Sequence, residues 1–376
     1  MSVRVTFVLG TSGGGVGGHV RDLAAGMVER GFAVTVAAPV RTEARFRFAD
    51  AGARFRPVPI GASPHPVRDV AAVKALRAAL ADADAVHAHG IRAGALTGLA
   101  LMRRAVPYAV TLHNAILATG VKAFLLSGLE RLAIARADVV LGASIDLVDR
   151  ARALGARNAH LAPVPAPTLP EARRVRASVR AQLGVAEGEF LVLAIGRLAP
   201  QKDFATLLDA AAQWRTDWPA NEPSARAPRL AIAGDGPLHA QLQQTIDERR
   251  LDATLLGPRD DVADLLGAAD VLVLTSVWEA RAFALQEAMR AGLPVVATAT
   301  GGTPDLVGDA AVLVPVHDSH AVAGAVRHLA ASPDERVRLT GLGRRRAESW
   351  PSVEQSLTQL AELYTQLATK PEHDAL

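Results

Sequence analysis

Short runs of Val, Ala and Leu alternate along the whole chain with longer stretches in which apolar residues recur every three or four positions. Runs that are apolar throughout suit strands covered on both faces, and the helical stretches suit crossover connections. The pattern therefore predicts βαβ units with parallel sheets. In the first half strands are expected near residues 3–9, 33–38, 84–88, 107–112 and 138–142. In the second they are expected near 190–195, 229–233, 253–256, 270–274, 294–297 and 311–314, with helices such as 204–214 and 284–291 between them. A last helix, roughly 352–367, carries Leu357, Leu360, Leu363, Tyr364 and Leu367 on one stripe and must pack on something.

The pattern is too long for one core. Single cores usually stop growing at roughly 250–300 residues, and this chain has 376. Between the halves, Ala162-Pro163-Val164-Pro165-Ala166-Pro167-Thr168-Leu169-Pro170 is too proline-rich for a helix or central strand and reads as a semi-rigid linker. The expected division is a domain over 1–165, a second over 166–350, and a C-terminal helix within 351–376, for which crossing back to the first domain is one arrangement that periodicity does not decide. The polar stretch 219–228 is expected to be an exposed loop.

Charge changes the picture by its distribution. The formal net charge is only +3, but residues 1–170 hold 20 basic against 11 acidic residues and the remainder 21 against 27, which is +9 and −6. A basic first half suits an acidic or lipid-linked acceptor or a phospholipid surface, or it is a solvated Arg-rich face. No cysteine is present, which excludes disulfides and thiol chemistry. The N-terminus, Met1 to Leu9, lacks the pattern of a signal peptide, and no run approaches the ~18 apolar residues of a spanning helix. A cytoplasmic protein is expected, with any membrane contact peripheral at the inner surface.

Gly13-Gly14-Gly15-Val16-Gly17-Gly18 follows the first strand and matches G-x-G-x-x-G at Gly13, Gly15 and Gly18. Such a turn can bring backbone N–H groups and a positive helix end close to a phosphate or polar ligand. A dinucleotide site would also need an acid at the end of the next strand, and Val34 to Pro39 offers none. The loop is better suited to lying under a ligand that spans two domains, or it is simply a tight strand-to-helix turn.

Four segments of the second half fall at strand-to-helix turns, where open α/β sheets bind ligands. They are Gly196-Arg197-Leu198-Ala199-Pro200-Gln201-Lys202, Gly234-Asp235-Gly236-Pro237, Glu279 through Glu287, and Thr300-Gly301-Gly302-Thr303-Pro304. Arg197 and Lys202 flank one turn, so both cations can converge on a departing diphosphate and do the work of a metal ion. Glu279 stands in the turn after a strand and Glu287 inside the following helix. Carboxylates so placed can accept hydrogen bonds from sugar and ribose hydroxyls.

In this combination the chain resembles glycosyltransferase family 4, over nearly its whole length. The glycine-rich loop, Val86-His87-Ala88-His89-Gly90, Thr111-Leu112-His113, the Gly196 to Lys202 segment, Gly234 to Pro237, the paired glutamates and Gly301 to Pro304 carry the likeness. The resemblance implies a GT-B fold, two facing Rossmann-like domains with parallel sheets and an interdomain cleft. It implies that Arg197 and Lys202 bind the donor phosphates, that Glu287 binds the ribose, and that Glu279 with its following loop binds the sugar. His113 would lie beside that sugar, and transfer would retain the anomeric configuration without metal or other cofactor. The catalytic set expected is His113, Arg197, Lys202 and Glu279. The donor set adds Gly15, Gly17, Gly18, Gly234, Arg259, Ala280, Arg281, Ala282, Phe283, Ala284 and Glu287; His19 and His89 stand on the acceptor side. UDP-sugar is the favoured donor and GDP-sugar the next. Ala280-Arg281-Ala282 departs from the family, where Gly is common, and leaves the sugar's identity open.

Other signals compete. Asp82-Ala83-Asp84 has the D-x-D spacing of metal-dependent sugar transferases, but it precedes a strand. His87, His89 and His113 resemble a zinc set without a supporting acid. Arg41, Arg45, Arg47, Arg54 and Arg56 interleave with Phe46, Phe48 and Phe55; with no nucleic-acid motif nearby, a variable loop near the acceptor or a membrane surface is expected instead. Leu117 to Arg136 is an apolar-rich helix for which core packing is preferred to membrane insertion. An epimerase of the same fold and a non-catalytic nucleotide-sugar or membrane-surface binding protein are the competing functions.

Overall fold

The computed structural model describes residues 2–12, 14–218 and 226–369. Gly13 and most of the 219–228 stretch lie outside the described residues. The chain forms two compact units, one from 1–164 together with 351–376 and the other from 165–350.

In the first unit the strands are β1 (Arg4–Leu9), β2 (Ala33–Ala38), β3 (Arg54–Pro57), β4 (Ala85–His89), β5 (Tyr108–Leu112), β6 (Val139–Gly142) and β7 (Ala159–Leu161). They form one sheet in the order β3-β2-β1-β4-β5-β6-β7, every pair parallel. The order reverses between β1 and β4, so their connecting segments leave in opposite directions and open a crevice at the carboxyl ends. Leu9 lies opposite His89, and His89 opposite Thr111. The end of β4 is thereby fixed beside the glycine loop.

The second unit contains β8 (Leu191–Ile195), β9 (Arg229–Ala233), β10 (Ala253–Gly257), β11 (Val271–Leu274), β12 (Val295–Thr298) and β13 (Val312–Val314), ordered β10-β9-β8-β11-β12-β13 and again parallel. Alternate residues of each strand enter opposite cores. Val192, Ala194, Leu230, Ile232, Val271 and Val273 pack on one face. Leu191, Leu193, Ala231, Ala233, Leu272 and Leu274 pack on the other. This two-sided burial is why the strands read as unbroken apolar runs.

The last helix, Val353–Thr369, belongs to the first unit. Its stripe buries Leu360, Tyr364 and Leu367 in the core that holds Phe7, Leu23 and Met27. Gly26 lets it approach the helix Gly15–Glu29, because a Cβ there would meet Leu357 Cδ1 at 2.5 Å.

Three expectations need correction. The Arg/Phe-rich segment is not simply a loop, since Arg54–Pro57 is the edge strand β3, missed because an exposed edge needs no apolar run. The three-residue β7 was missed for the same lack of signal. The helix Gly120–Arg136 is not a core helix along its length. Glu130, Ala133 and Ile134 are buried, whereas Val121 and Phe124 are nearly four-fifths exposed. As for the proline-rich linker, it has no regular structure, but Ala166 is pinned: its N–H donates to Gln286 Oε1 at 3.0 Å and its carbonyl accepts from Arg290 Nη1 at 2.7 Å. No helix among the described residues is long and apolar enough to cross a membrane.

Tyr364 is fully buried against Phe7 and Phe32, and its hydroxyl lies 2.6 Å from His87 Nδ1. Tyr364→Ala should cost about 3–5 kcal/mol of stability, as other core aromatic truncations do. A denaturant midpoint within error of wild type would show that the returning helix does not support the first unit.

Candidate active site

The second unit's site is built where its strand order reverses, between β8 and β11. After β8 the chain makes the turn Gly196 to Lys202. Asp203 ends that turn in the left-handed conformation, φ 46°, and caps the helix Phe204–Asp217 with its carboxylate. The same carboxylate accepts from Thr206 Oγ1 at 2.7 Å. After β9, glycines let the next loop press onto the first. A Cβ on Gly234 (φ 145°) would fall 1.9 Å from the Gly196 carbonyl oxygen, and one on Gly236 would fall 2.4 Å from that of Leu198. Leu198 N donates to Asp235 O and Leu238 N to Leu198 O. Gly234 thus acts by close backbone packing that shapes the Arg197 turn.

The segment after β11 has no regular structure, yet it is held on both sides. Val277 N donates to Gln201 O at 2.9 Å and Gln201 Nε2 to Trp278 O at 2.8 Å; Thr275 Oγ1 donates to Lys202 O and Asp203 O. On the other flank Thr298 Oγ1 donates to Ser276 O, Thr300 Oγ1 to Val277 O, and Gly302 N to Glu279 O. Gly301, φ 53°, leaves room for this approach, because a Cβ would lie 2.2 Å from Glu279 O.

The outcome is an ion pair. Lys202 Nζ lies 2.5 Å from Glu279 Oε1, with both side chains largely buried, and the Lys202 stem runs over Gly196. Arg197 is exposed and makes no ion pair among the described residues. The helix Phe283–Ala291 begins at Ala282 with no side-chain cap and no acid in its first turn, which leaves a positive end suited to an anion. Ala280 and Ala282 are buried, while Phe283 and Ala284 are half-buried at the helix start. Glu287 is half-buried on this helix and has no ion-pair partner within 4 Å among the described residues. Burial holds its carboxyl above the usual range, and the positive charge of Arg290 only partly opposes this.

Two members of the expected donor set sit differently. The Arg281 guanidinium lies 5.3 Å from the Trp350 ring centre, and its Nε and Nη2 are buried without a partner. Arg150 grips Glu130 with that same edge, at 2.9 and 2.5 Å. Burial, together with the like charges of Arg290 and Arg346, brings the pKa of Arg281 down to about 10. Its side chain is thus committed to Trp350. Arg259, exposed after the edge strand β10, is bound to Asp261, which also holds Arg174.

In the first unit four histidines gather at the carboxyl ends of β4 and β5. His87 is held between Tyr364 Oη and Thr111 Oγ1, both at 2.6 Å. Its ring lies 4.1 Å from that of His89, whose Nδ1 is 3.1 Å from His113 Nε2. His19 closes the group, with ring centres 5.9 Å from His89 and 5.7 Å from His113. Burial keeps all four uncharged: His19 falls to about 4 and His87 to about 3, while His89 and His113 lie well below the ordinary value. Among the described residues no His, Cys, Asp or Glu group could hold a metal ion. Asp84 of the D-x-D segment instead binds the N–H and guanidinium of Arg4.

Beside the cluster, the helix Gly15–Glu29 starts at the exposed Gly14 and Gly15 with no side-chain cap. A Cβ on Gly18 would meet open space, whereas one on Gly17 would strike the Phe46 ring at 2.2 Å. Gly14 and Gly18 face open space and Gly15 is exposed, whereas Gly17 is required by packing. Sequence reasoning missed Tyr364 as a partner of His87 and Trp350 as a partner of Arg281. The scarcity of tyrosine was the available signal: both Tyr108 and Tyr364 are fully buried with bonded hydroxyls.

Comparison with known proteins accords with this geometry. The family model "Glycosyl transferase 4-like domain" matches residues 14–167 and "Glycosyl transferases group 1" matches residues 175–346. N-acetyl-alpha-D-glucosaminyl L-malate synthase of Bacillus anthracis is 28% identical over 155 residues, 40% of this chain and 39% of that protein. D-inositol 3-phosphate glycosyltransferase of Streptomyces coelicolor is 32% identical over 205 residues, 50% of this chain and 43% of that protein. The chain thus spans less than half the length of these curated relatives. Anabaena HepE, solved in complex with UDP, superposes with a TM-score of 0.79 at 22% identity, covering 97% of this chain and 100% of that one. Two parallel-sheet Rossmann-like units of this kind are the GT-B fold. The chain belongs to glycosyltransferase family 4.

Because Glu287 carries a raised carboxyl pKa, its charge destabilises the folded protein above the carboxylate range, and this cost disappears as pH falls and the group is protonated. Glu287→Gln should raise the thermal midpoint of the ligand-free protein at pH 7, with the gain shrinking toward pH 4. The same variant should weaken nucleotide binding about tenfold to a hundredfold, the worth of hydrogen bonds to a charged acceptor. Unchanged affinity in calorimetric titration would remove Glu287 from the ribose site.

Proposed function

We propose that this protein is a retaining, metal-independent glycosyltransferase that moves a sugar from a nucleoside diphosphate donor to an anionic acceptor. The observation that carries the reading is the Lys202–Glu279 pair at the switch point of the second sheet, in a chain that matches both halves of the family. In the ligand-free protein each residue satisfies the other. An incoming diphosphate draws the ammonium, and the freed carboxylate accepts from sugar hydroxyls. Arg197, exposed at the other end of the same turn, and the uncapped start of Phe283–Ala291 add positive potential where negative charge grows.

In this reading the bond between the anomeric carbon and the diphosphate breaks and a bond to the acceptor oxygen forms on the same face. The acceptor's proton passes to the departing phosphate oxygen. No residue need serve as general base, in keeping with histidines whose basicity burial lowers. The anionic acceptor is supported by the excess of positive charge in residues 1–170. By their names, the two relatives concern L-malate and D-inositol 3-phosphate, which are both anions. UDP-sugar is the first donor to test and GDP-sugar the second.

Incubation with UDP-, GDP- and ADP-sugars in EDTA, with and without acidic acceptors, should yield free nucleoside diphosphate with one base class and a new glycoside of retained configuration. Lys202→Ala should lower kcat/KM by about a hundredfold to a thousandfold, comparable with removing one preorganised oxyanion donor. A changed sugar still attached to nucleotide would establish epimerisation instead, and loss of activity in EDTA would end the metal-free mechanism.

A further inference from the structure

The histidine cluster contains an atom that fixes where its protons lie. A neutral imidazole has one N–H donor and one bare nitrogen acceptor. His87 accommodates either tautomer, because both its nitrogens face hydroxyl groups that can donate or accept. His89 does not. Its Nδ1 faces His113 Nε2 at 3.1 Å, while its Nε2 is buried with no hydrogen-bonding partner. If the shared proton sat on His113 Nε2, the proton of His89 would be forced onto Nε2, leaving an orphaned buried N–H. Such donors are rarer in folded proteins than under-satisfied acceptors, and an unmade buried hydrogen bond costs about 1–3 kcal/mol. With the proton on His89 Nδ1, the buried nitrogen is only a bare lone pair. His113 Nε2 then accepts, and the single proton of His113 must lie on Nδ1, which bonds to no other group among the described residues.

We infer that His89 is a positioning residue that locks His113 in the Nδ1–H tautomer, so that His113 offers a neutral N–H donor to a ligand oxygen at the carboxyl ends of β4 and β5. The lock extends beyond this pair. The His89 ring is sandwiched between His87 at 4.1 Å and His113 at 5.4 Å, and His87 is in turn fixed by Tyr364 of the returning helix and by Thr111. Phe7 meets His87 and His89 edge-on, at 6.1 and 5.9 Å, and packs against both rings. None of the four histidines pairs with a carboxylate among the described residues, so nothing draws a second proton onto His113. The substrate contact rests on the transferase reading above; the tautomer does not.

Two measurements separate these. In ¹⁵N-histidine-labelled wild-type protein at pH 7, long-range ¹H–¹⁵N correlation should show His113 protonated at Nδ1 and His89 at Nδ1. A proton on His113 Nε2 overturns the proposal whatever the enzyme's activity. In the transfer assay, His89→Leu should lower kcat by about tenfold more than His89→Asn, whose amide can present an N–H where Nδ1 stood, the difference being the worth of one oriented hydrogen bond. Equal activities in the two variants overturn the positioning role. If wild type transfers no sugar, the transferase reading fails and the nitrogen spectrum alone decides the tautomer.

Discussion

A segment without helix or strand can hold catalytic groups only if its backbone polar atoms find fixed partners, and in this protein the stretch 275–282 finds them in the loops on either side. Gln201, Lys202 and Asp203 bond it from the β8 side; Thr298, Thr300 and Gly302 bond it from the β12 side. Lys202 and Glu279 therefore meet as parts of one hydrogen-bonded layer. The glycines at 234, 236 and 301 serve the same layer by removing side chains where backbones must touch, and Gly196 leaves room for the Lys202 stem. The geometry of the proposed site in the second unit rests on this stitching as well as on the ion pair.

Charge within the layer is arranged against stability. Glu287 is a half-buried carboxylate without an ion pair, and Arg281 is a guanidinium whose best edge is buried with nothing to bind. Structural carboxylates elsewhere are treated differently. Glu130 is fully buried but held by Arg150, and Asp264 is held by the backbone and guanidinium of Arg174. A half-buried, uncompensated carboxylate such as Glu287 beside a strand-end switch point contrasts with these paired ones and suits a binding site.

Much of this was legible in the sequence, for identifiable reasons. Strands buried on two faces must be largely apolar, so β1, β2, β4, β5, β6, β8, β9, β11 and β12 announce themselves, and the edge strands β10 and β13 were legible only because each happens to carry a short Leu or Val run. Edge strands carry no such demand, and β3 and β7 left no mark. The glutamates and the Arg197–Lys202 turn were visible because their positions after buried strands follow from the βαβ order. What could not be read was direction. Nothing in Ala280-Arg281-Ala282 says that the arginine turns to Trp350, nearly seventy residues on. Nothing in the final helix's stripe says that Tyr364 reaches His87. Such contacts are set by packing between distant elements, and periodicity carries no information about them.

The returning helix also sets an order of events. The second unit is one continuous stretch of chain, 165–350, and can close its core as soon as that stretch has left the ribosome. The first unit cannot, because the groove over Phe7, Leu23 and Gly26 is filled by Leu357, Leu360 and Tyr364, which follow the whole second unit along the chain. The unit that starts earlier in the chain is thus completed after the other, and until then it exposes an apolar groove in which the histidine rings lack their tyrosine.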